Sequence, residues 1–141
     1  DEEMEDRIKK HREERGNNFV TIEEPYKLQE VISGLECSKK LFIILECITV
    51  WLGNIFHKYN SNEQEIDKEI SALVSVLQNY KVQGKGSCAI ITNELGSGVV
   101  PDNRMARDFR DKAGRLNQNL AEIADKVFLC VSGIPVKIKP A

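Results

Sequence analysis

Histidine and cysteine are scarce in this chain, and long apolar runs and a basic surplus are both missing. Two histidines, His11 and His57, are too few for a multi-histidine metal site. The four cysteines, Cys37, Cys47, Cys88 and Cys130, include no CxxC pair. Three of them sit in or beside apolar segments, so they read as small buried thiols in a reducing cytosol rather than disulfides or zinc ligands. An apolar run such as Leu41–Leu45 is far too short to cross a bilayer, and no secretory signal pattern is visible. Net charge is −2, which argues against a general nucleic-acid binder, because neutralising phosphates needs a basic surplus. Repeats and linker-like shifts in composition are also missing, so one domain is expected.

What remains is ordinary globular composition: 141 residues, 41% hydrophobic and 30% charged. A chain of this length buries about two-thirds of its unfolded surface, so it needs no disulfide or metal to fold. It opens at Asp1 rather than Met, already within what reads as a helix, and is expected to be a protein whose beginning lies ahead of Asp1.

Residues 1–14 read as a helix with Met4, Ile8, His11 and Arg15 on one face, ended by Gly16, Asn17 and Asn18. Phe19–Ile22 reads as extended, and Tyr26–Ser33 as a short helix stopped by Gly34. The run from Leu41 to Thr49, broken only by Glu46, fits a strand covered on both faces. Val50–Tyr59 reads as a helix with Trp51, Leu52, Ile55 and Phe56 inside. Ser61 and Asn62 mark the start of a long helix with Ile66, Ile70, Leu73, Val74 and Leu77 on its apolar face. Gly84 and Gly86 end it, and Cys88–Thr92 reads as a second buried strand. Gly96 and Gly98 form a flexible turn. Pro101 opens a helix with Met105, Phe109, Leu116, Leu120 and Ile123 as its stripe. Val127–Val131 reads as a third strand, and Val136–Lys139 as an edge strand. Strands alternating with helices predict an α/β fold with a mostly parallel sheet.

Ligands of such sheets bind beyond the carboxyl ends of the strands. That directs attention to Glu46, Thr92–Gly98 and Ser132–Pro135. Glu46 has the position of an acid that handles a magnesium-bound water or a ribose, or else it caps a neighbouring helix. Thr92–Gly98 offers hydroxyl, amide and carboxylate groups and two glycines, yet its GxG is no phosphate fingerprint by itself. Arg104, Arg107, Arg110 and Arg115 on the next helix either bind phosphates or form a solvated face. His11, flanked by Lys9, Lys10, Arg12 and Arg15, either caps a core or serves as a nucleophile toward a phosphate ester, since neighbouring cations favour neutral imidazole and attract phosphates.

Seven ordered blocks carry a more specific signal. They are Glu3-Met4-x-x-Arg7-Ile8-x-x-His11-Arg12, Thr21-Ile22-Glu23-Glu24-Pro25, Leu45-Glu46-Cys47-Ile48-Thr49, Thr92-Asn93-Glu94-x-Gly96-x-Gly98-x-Val100-Pro101, Ala106-Arg107-Asp108-Phe109-Arg110-Asp111, Ala113-Gly114-Arg115-Leu116-Asn117-Gln118 and Ser132-Gly133-Ile134-Pro135-Val136-Lys137-Ile138-Lys139. Together they span nearly the whole chain. It resembles the bifunctional adenosylcobinamide kinase and adenosylcobinamide-phosphate guanylyltransferases of cobalamin biosynthesis.

That resemblance implies a P-loop NTPase-like (RecA-like) fold, a cytoplasmic homotrimer, and the substrates adenosylcobinamide, its phosphate, and GTP or ATP with Mg2+. It implies His11 as the residue that carries GMP. Arg12, Glu13, Glu14, Arg15, Glu23 and Glu46 fall where the family contacts nucleotide, and Glu46 is the candidate for positioning a metal or its water. The trimer expectation rests further on an apolar helix around Trp51, Ile55 and Phe56, read as exposed. One family element is missing from these residues: no GxxxxGK[ST] loop occurs. In the family that loop precedes the helix at which this chain begins, so about 35 to 40 further residues are expected there, and the first strand of the sheet with them. The rival reading is a catalytically inactive nucleotide-binding or interaction module that lacks the phosphate loop.

Overall fold

A computed structural model describes residues 2–15, 18–35 and 41–140; within the first helix the side chains of residues 2, 4, 5, 7, 11, 12 and 15 are not described. In chain order the elements are α1 (Glu2–Arg15), α2 (Leu28–Gly34), β1 (Leu41–Leu45), α3 (Ile48–Lys58), α4 (Glu63–Val82), β2 (Gly86–Ile90), α5 (Arg104–Ile123), β3 (Val127–Val131) and β4 (Ile134–Lys139). The architecture is mixed α/β, with a small parallel sheet and packed helices.

The apolar run after Leu41 divides in two. β1 stops at Leu45, because Ile48, Trp51, Leu52, Ile55 and Phe56 recur at helical spacing and belong to α3. All five are buried, and Leu52 and Ile55 are fully so. This overturns the expectation of an exposed apolar helix around Trp51, Ile55 and Phe56: that surface is the core. α4 adds Ile66, Ile70, Leu73, Leu77 and Tyr80, and α5 adds Ala113, Leu116 and Leu120. The Phe56 and Phe109 rings meet edge to face at 5.1 Å between centroids. Asn62 caps α4, accepting from the backbone N–H of Gln64 and Glu65. Lys112, buried on α5, donates to Asp67 at 2.6 Å, so its charge is paired.

β1 and β2 pair in parallel, Leu41 opposite Gly86 through Leu45 opposite Ile90. Gly86 is needed there: a Cβ would collide with the Leu41 carbonyl oxygen and crowd the Tyr80 hydroxyl, which itself donates to Leu41 O. One face of this sheet packs on the core through Ile43, Leu45, Cys88 and Ile90. On the other face Phe42 is 62% and Ile44 42% exposed. Coverage on both faces is therefore not met. β3 does not extend this sheet either. It forms an antiparallel hairpin with β4, because Ser132 and Gly133 both take positive φ, as a primed two-residue turn requires.

Smaller differences have equally local causes. α5 starts at Arg104, capped by Asn103, rather than at Pro101. Met105 is exposed because it precedes the buried turn of the helix, and Ile8 is exposed on α1. Cys88 is half-buried and burial pushes its thiol pKa up to about 11, which keeps it protonated. Cys130 is exposed on the uncovered hairpin, contrary to the buried-thiol expectation, and Cys37 lies outside the described residues. Among the described residues no helix is long and apolar enough to cross a membrane.

Candidate functional site at the carboxyl ends of the parallel strands

β1 and β2 end side by side, and their backbones stay joined one step further. Ile91 N–H donates to Leu45 O, and Ile48 N–H donates to Ile91 O, each at 2.9 Å. Glu46 lies between these two anchors, at the carboxyl end of β1 as expected, and it is exposed.

Past β2, the loop from Thr92 to Asn103 is laced onto α5. Thr92 Oγ1 donates to Asn117 Oδ1 at 2.8 Å, and Asn117 Nδ2 donates to Asn93 O at 3.0 Å. Arg110 Nη2 donates to Gly96 O at 2.7 Å. Arg107 Nη1 donates to the carbonyls of Pro101 and Asp102. The Glu94 carboxylate accepts from Gly96 N–H at 2.7 Å. The turn read as flexible is thus tied down at several points. Arg107 and Arg110, offered as phosphate ligands, each give one guanidinium nitrogen to loop carbonyls, and Arg110 Nη1 is buried without a hydrogen-bond partner. Arg104 faces Asp108 at 3.6 Å, and Arg115 is exposed.

Thr49, in the first turn of α3, completes the arrangement. Its Oγ1 accepts from Asn93 N–H at 3.0 Å and lies 3.3 Å from Thr92 Oγ1. Thr49 and Asn117 were not singled out by the sequence, although a signal existed. Arg107, Arg110, Gly114 and Asn117 follow a three-four-three spacing and so share one face of α5.

The other expected site residues are placed as follows. The backbone of His11, Arg12 and Arg15 belongs to α1, and their side chains lie outside the described residues. Glu13 and Glu14 are exposed on α1, and Glu23 is exposed in the extended segment before α2. Ser132–Pro135 does not join the crevice: Ser132 and Gly133 turn the β3–β4 hairpin, and that hairpin is a separate sheet. Among the described residues no group of three or more His, Cys, Asp or Glu side chains forms a metal cage.

A family model described as cobinamide kinase / cobinamide phosphate guanyltransferase matches residues 1–138. The chain belongs to this family. It is 38% identical over 150 aligned positions to the bifunctional adenosylcobalamin biosynthesis protein CobU of Escherichia coli, and 39% over 150 to that of Salmonella typhimurium; each alignment covers 99% of this chain and 80% of the relative. To the bifunctional adenosylcobalamin biosynthesis protein CobP of Pseudomonas aeruginosa it is 33% identical over 139 positions, covering 99% of this chain and 76% of that protein. The family is one of transferases, kinase and nucleotidyltransferase together, of cobalamin biosynthesis.

Proposed function

We propose that this chain acts as an adenosylcobinamide kinase and adenosylcobinamide-phosphate guanylyltransferase, with His11 as the covalent carrier of GMP. Family membership across residues 1–138 is the observation that carries this reading. A ring nitrogen of His11 attacks the α-phosphorus of GTP; the new P–N bond forms as the bond to pyrophosphate breaks. A phosphate oxygen of adenosylcobinamide phosphate then attacks the same phosphorus and releases the histidine. Dividing one difficult displacement into two easier ones is the gain from such a nucleophile.

Arg12 and Arg15 serve the nucleotide phosphates. Glu13, Glu14, Glu23 and Glu46 complete the nucleotide contacts. Mg2+ fits this donor set as a cation carried by the nucleotide: it commonly takes one or two carboxylates plus substrate phosphates and water rather than a protein cage. Glu46, exposed at the strand end, would hold the ion or its water. The ion supplies charge neutralisation on the leaving pyrophosphate. The 141 residues belong to one nucleotide-binding domain of the P-loop, RecA-like type, in a cytoplasmic homotrimer, with GTP or ATP serving the kinase step.

The test is labelling of the full-length gene product with α-labelled GTP and Mg2+. An acid-labile, base-stable label on His11 is expected, because a P–N bond breaks once its nitrogen is protonated. His11→Ala should abolish the label and spare phosphorylation of adenosylcobinamide, and His57→Ala should leave both intact. Full labelling of His11→Ala would overturn the assignment.

A further inference from the structure

We infer that Thr49, Thr92, Asn93 and Asn117 form one positioning unit for the guanylyl transfer, acting through Glu46; the inference rests on the function proposed above. The hydrogen bonds among the four residues close into a ring with a single consistent sense. Asn93 N–H donates to Thr49 Oγ1. Thr92 uses its only hydroxyl proton on Asn117 Oδ1, so in the 3.3 Å contact between the two threonines the Thr49 hydroxyl donates. Asn117 Nδ2 returns to Asn93 O and closes the ring. No group in it is used twice as a donor of the same proton, and each bond polarises the next.

The ring joins α3, the loop that follows β2, and α5. Its place explains what it holds. Leu45 and Ile48 are each bonded to Ile91, and Thr49 is bonded to Asn93. Glu46 and Cys47 are therefore bracketed on both sides by bonds to the β2 strand end. Thr92 and Asn117 fix the Thr49 hydroxyl and the Asn93 peptide from the α5 side, so losing either loosens the second side of the bracket. The ring is largely exposed to solvent, where protein hydrogen bonds trade almost evenly with those to water. It thus adds little to stability, and its consequence is the placement of Glu46 against the nucleotide. Small displacements of a positioning group are costly in rate.

The experiment measures the GTP-dependent labelling rate of His11 in the full-length gene product, alongside thermal melting. Thr92→Val removes the hydroxyl at constant shape, and should lower the maximal labelling rate by about tenfold or more with little change in melting temperature. Thr92→Ser, which restores the hydroxyl, should recover most of the rate. Asn117→Asp keeps the acceptor and loses the donor to Asn93 O, and should slow labelling in the same way; it decides the matter by the same measures should Thr92→Val not fold. The sharpest arm pairs Thr92→Val with Glu46→Gln. If the ring acts through Glu46, the double variant is no slower than Glu46→Gln alone. Wild-type rates in both ring variants, or full multiplication of the two losses, would overturn the inference. Failure of the wild-type protein to label at all would instead remove the functional reading, and this inference with it.

Discussion

Glu69 is a buried carboxylate that stays charged. It sits on α4 at 7% exposure, accepts from Tyr59 O–H at 2.6 Å and from Gln29 Nε2 at 2.7 Å, and has Lys27 Nζ 3.6 Å away. Burial alone would raise its pKa. The hydrogen bonds from Tyr59 and Gln29, with the charges of Lys27 and Lys58, outweigh burial and hold it below the ordinary value. A carboxyl depressed in the folded state stabilises the fold above the unfolded pKa, and that contribution is lost as pH falls through the folded one. Glu69→Ala leaves two donors unpaired and should cost about 1–3 kcal/mol at pH 7, read by urea unfolding. The gap from wild type should narrow below about pH 4. Equal stability at pH 7 would contradict this account.

α5 illustrates how an element is completed by its neighbours. Its last turn contains no basic residue, yet its terminal carbonyls are served by cations from elsewhere. Lys81 of α4 donates to Ile123 O at 2.8 Å and pairs with Asp125 at 2.7 Å. That bond with Lys81 holds the Asp125 carboxyl below its ordinary pKa. Lys139 of β4 donates to Ala121 O at 2.7 Å and Glu122 O at 2.9 Å. Cations at a helix carboxyl end oppose its dipole as well as satisfy its carbonyls. Lys139→Met, which keeps the aliphatic stem, should therefore cost about 0.5–1.5 kcal/mol and speed amide exchange in the hairpin ahead of the α3–α4 core. Unchanged exchange in β3 and β4 would show that Lys139 does not anchor the hairpin.

For the whole molecule, the apolar surface is distributed differently from the expectation. The α3 face invoked for assembly is core. Exposed apolar residues include Phe42 and Ile44 on the outer face of β1, and Phe128, Val131, Ile134 and Ile138 on the hairpin. A parallel sheet is ordinarily covered on both faces. The homotrimer proposed for the family reading is tested by sedimentation of the full-length gene product at micromolar concentration. A trimer is the expected result, and monomer alone would overturn it.

Much of this protein was legible in its residues, because side-chain period is a local property. The helical spacing in Trp51–Phe56, Ile66–Leu77 and Phe109–Leu120, and the cap at Asn62, follow from neighbours a few positions apart. The seven motif blocks likewise led to the family, and the ends of the apolar runs pointed to Glu46 and to the Thr92–Gly98 loop. Hydrogen-bonded partners far apart in the chain leave no such period. Thr49 meets Asn93 across 44 residues, and Asn117 reaches back 24 residues to the same residue. The pairing of β3 with β4 instead of β2 was also invisible, since a five-residue apolar run has the same pattern in either sheet and the two-residue turn decides between them. Sequence determined which elements form and which family they belong to. Tertiary structure alone decided which loop groups are bonded to one another and which apolar faces remain uncovered, because both depend on contacts between segments whose separation no local spacing records.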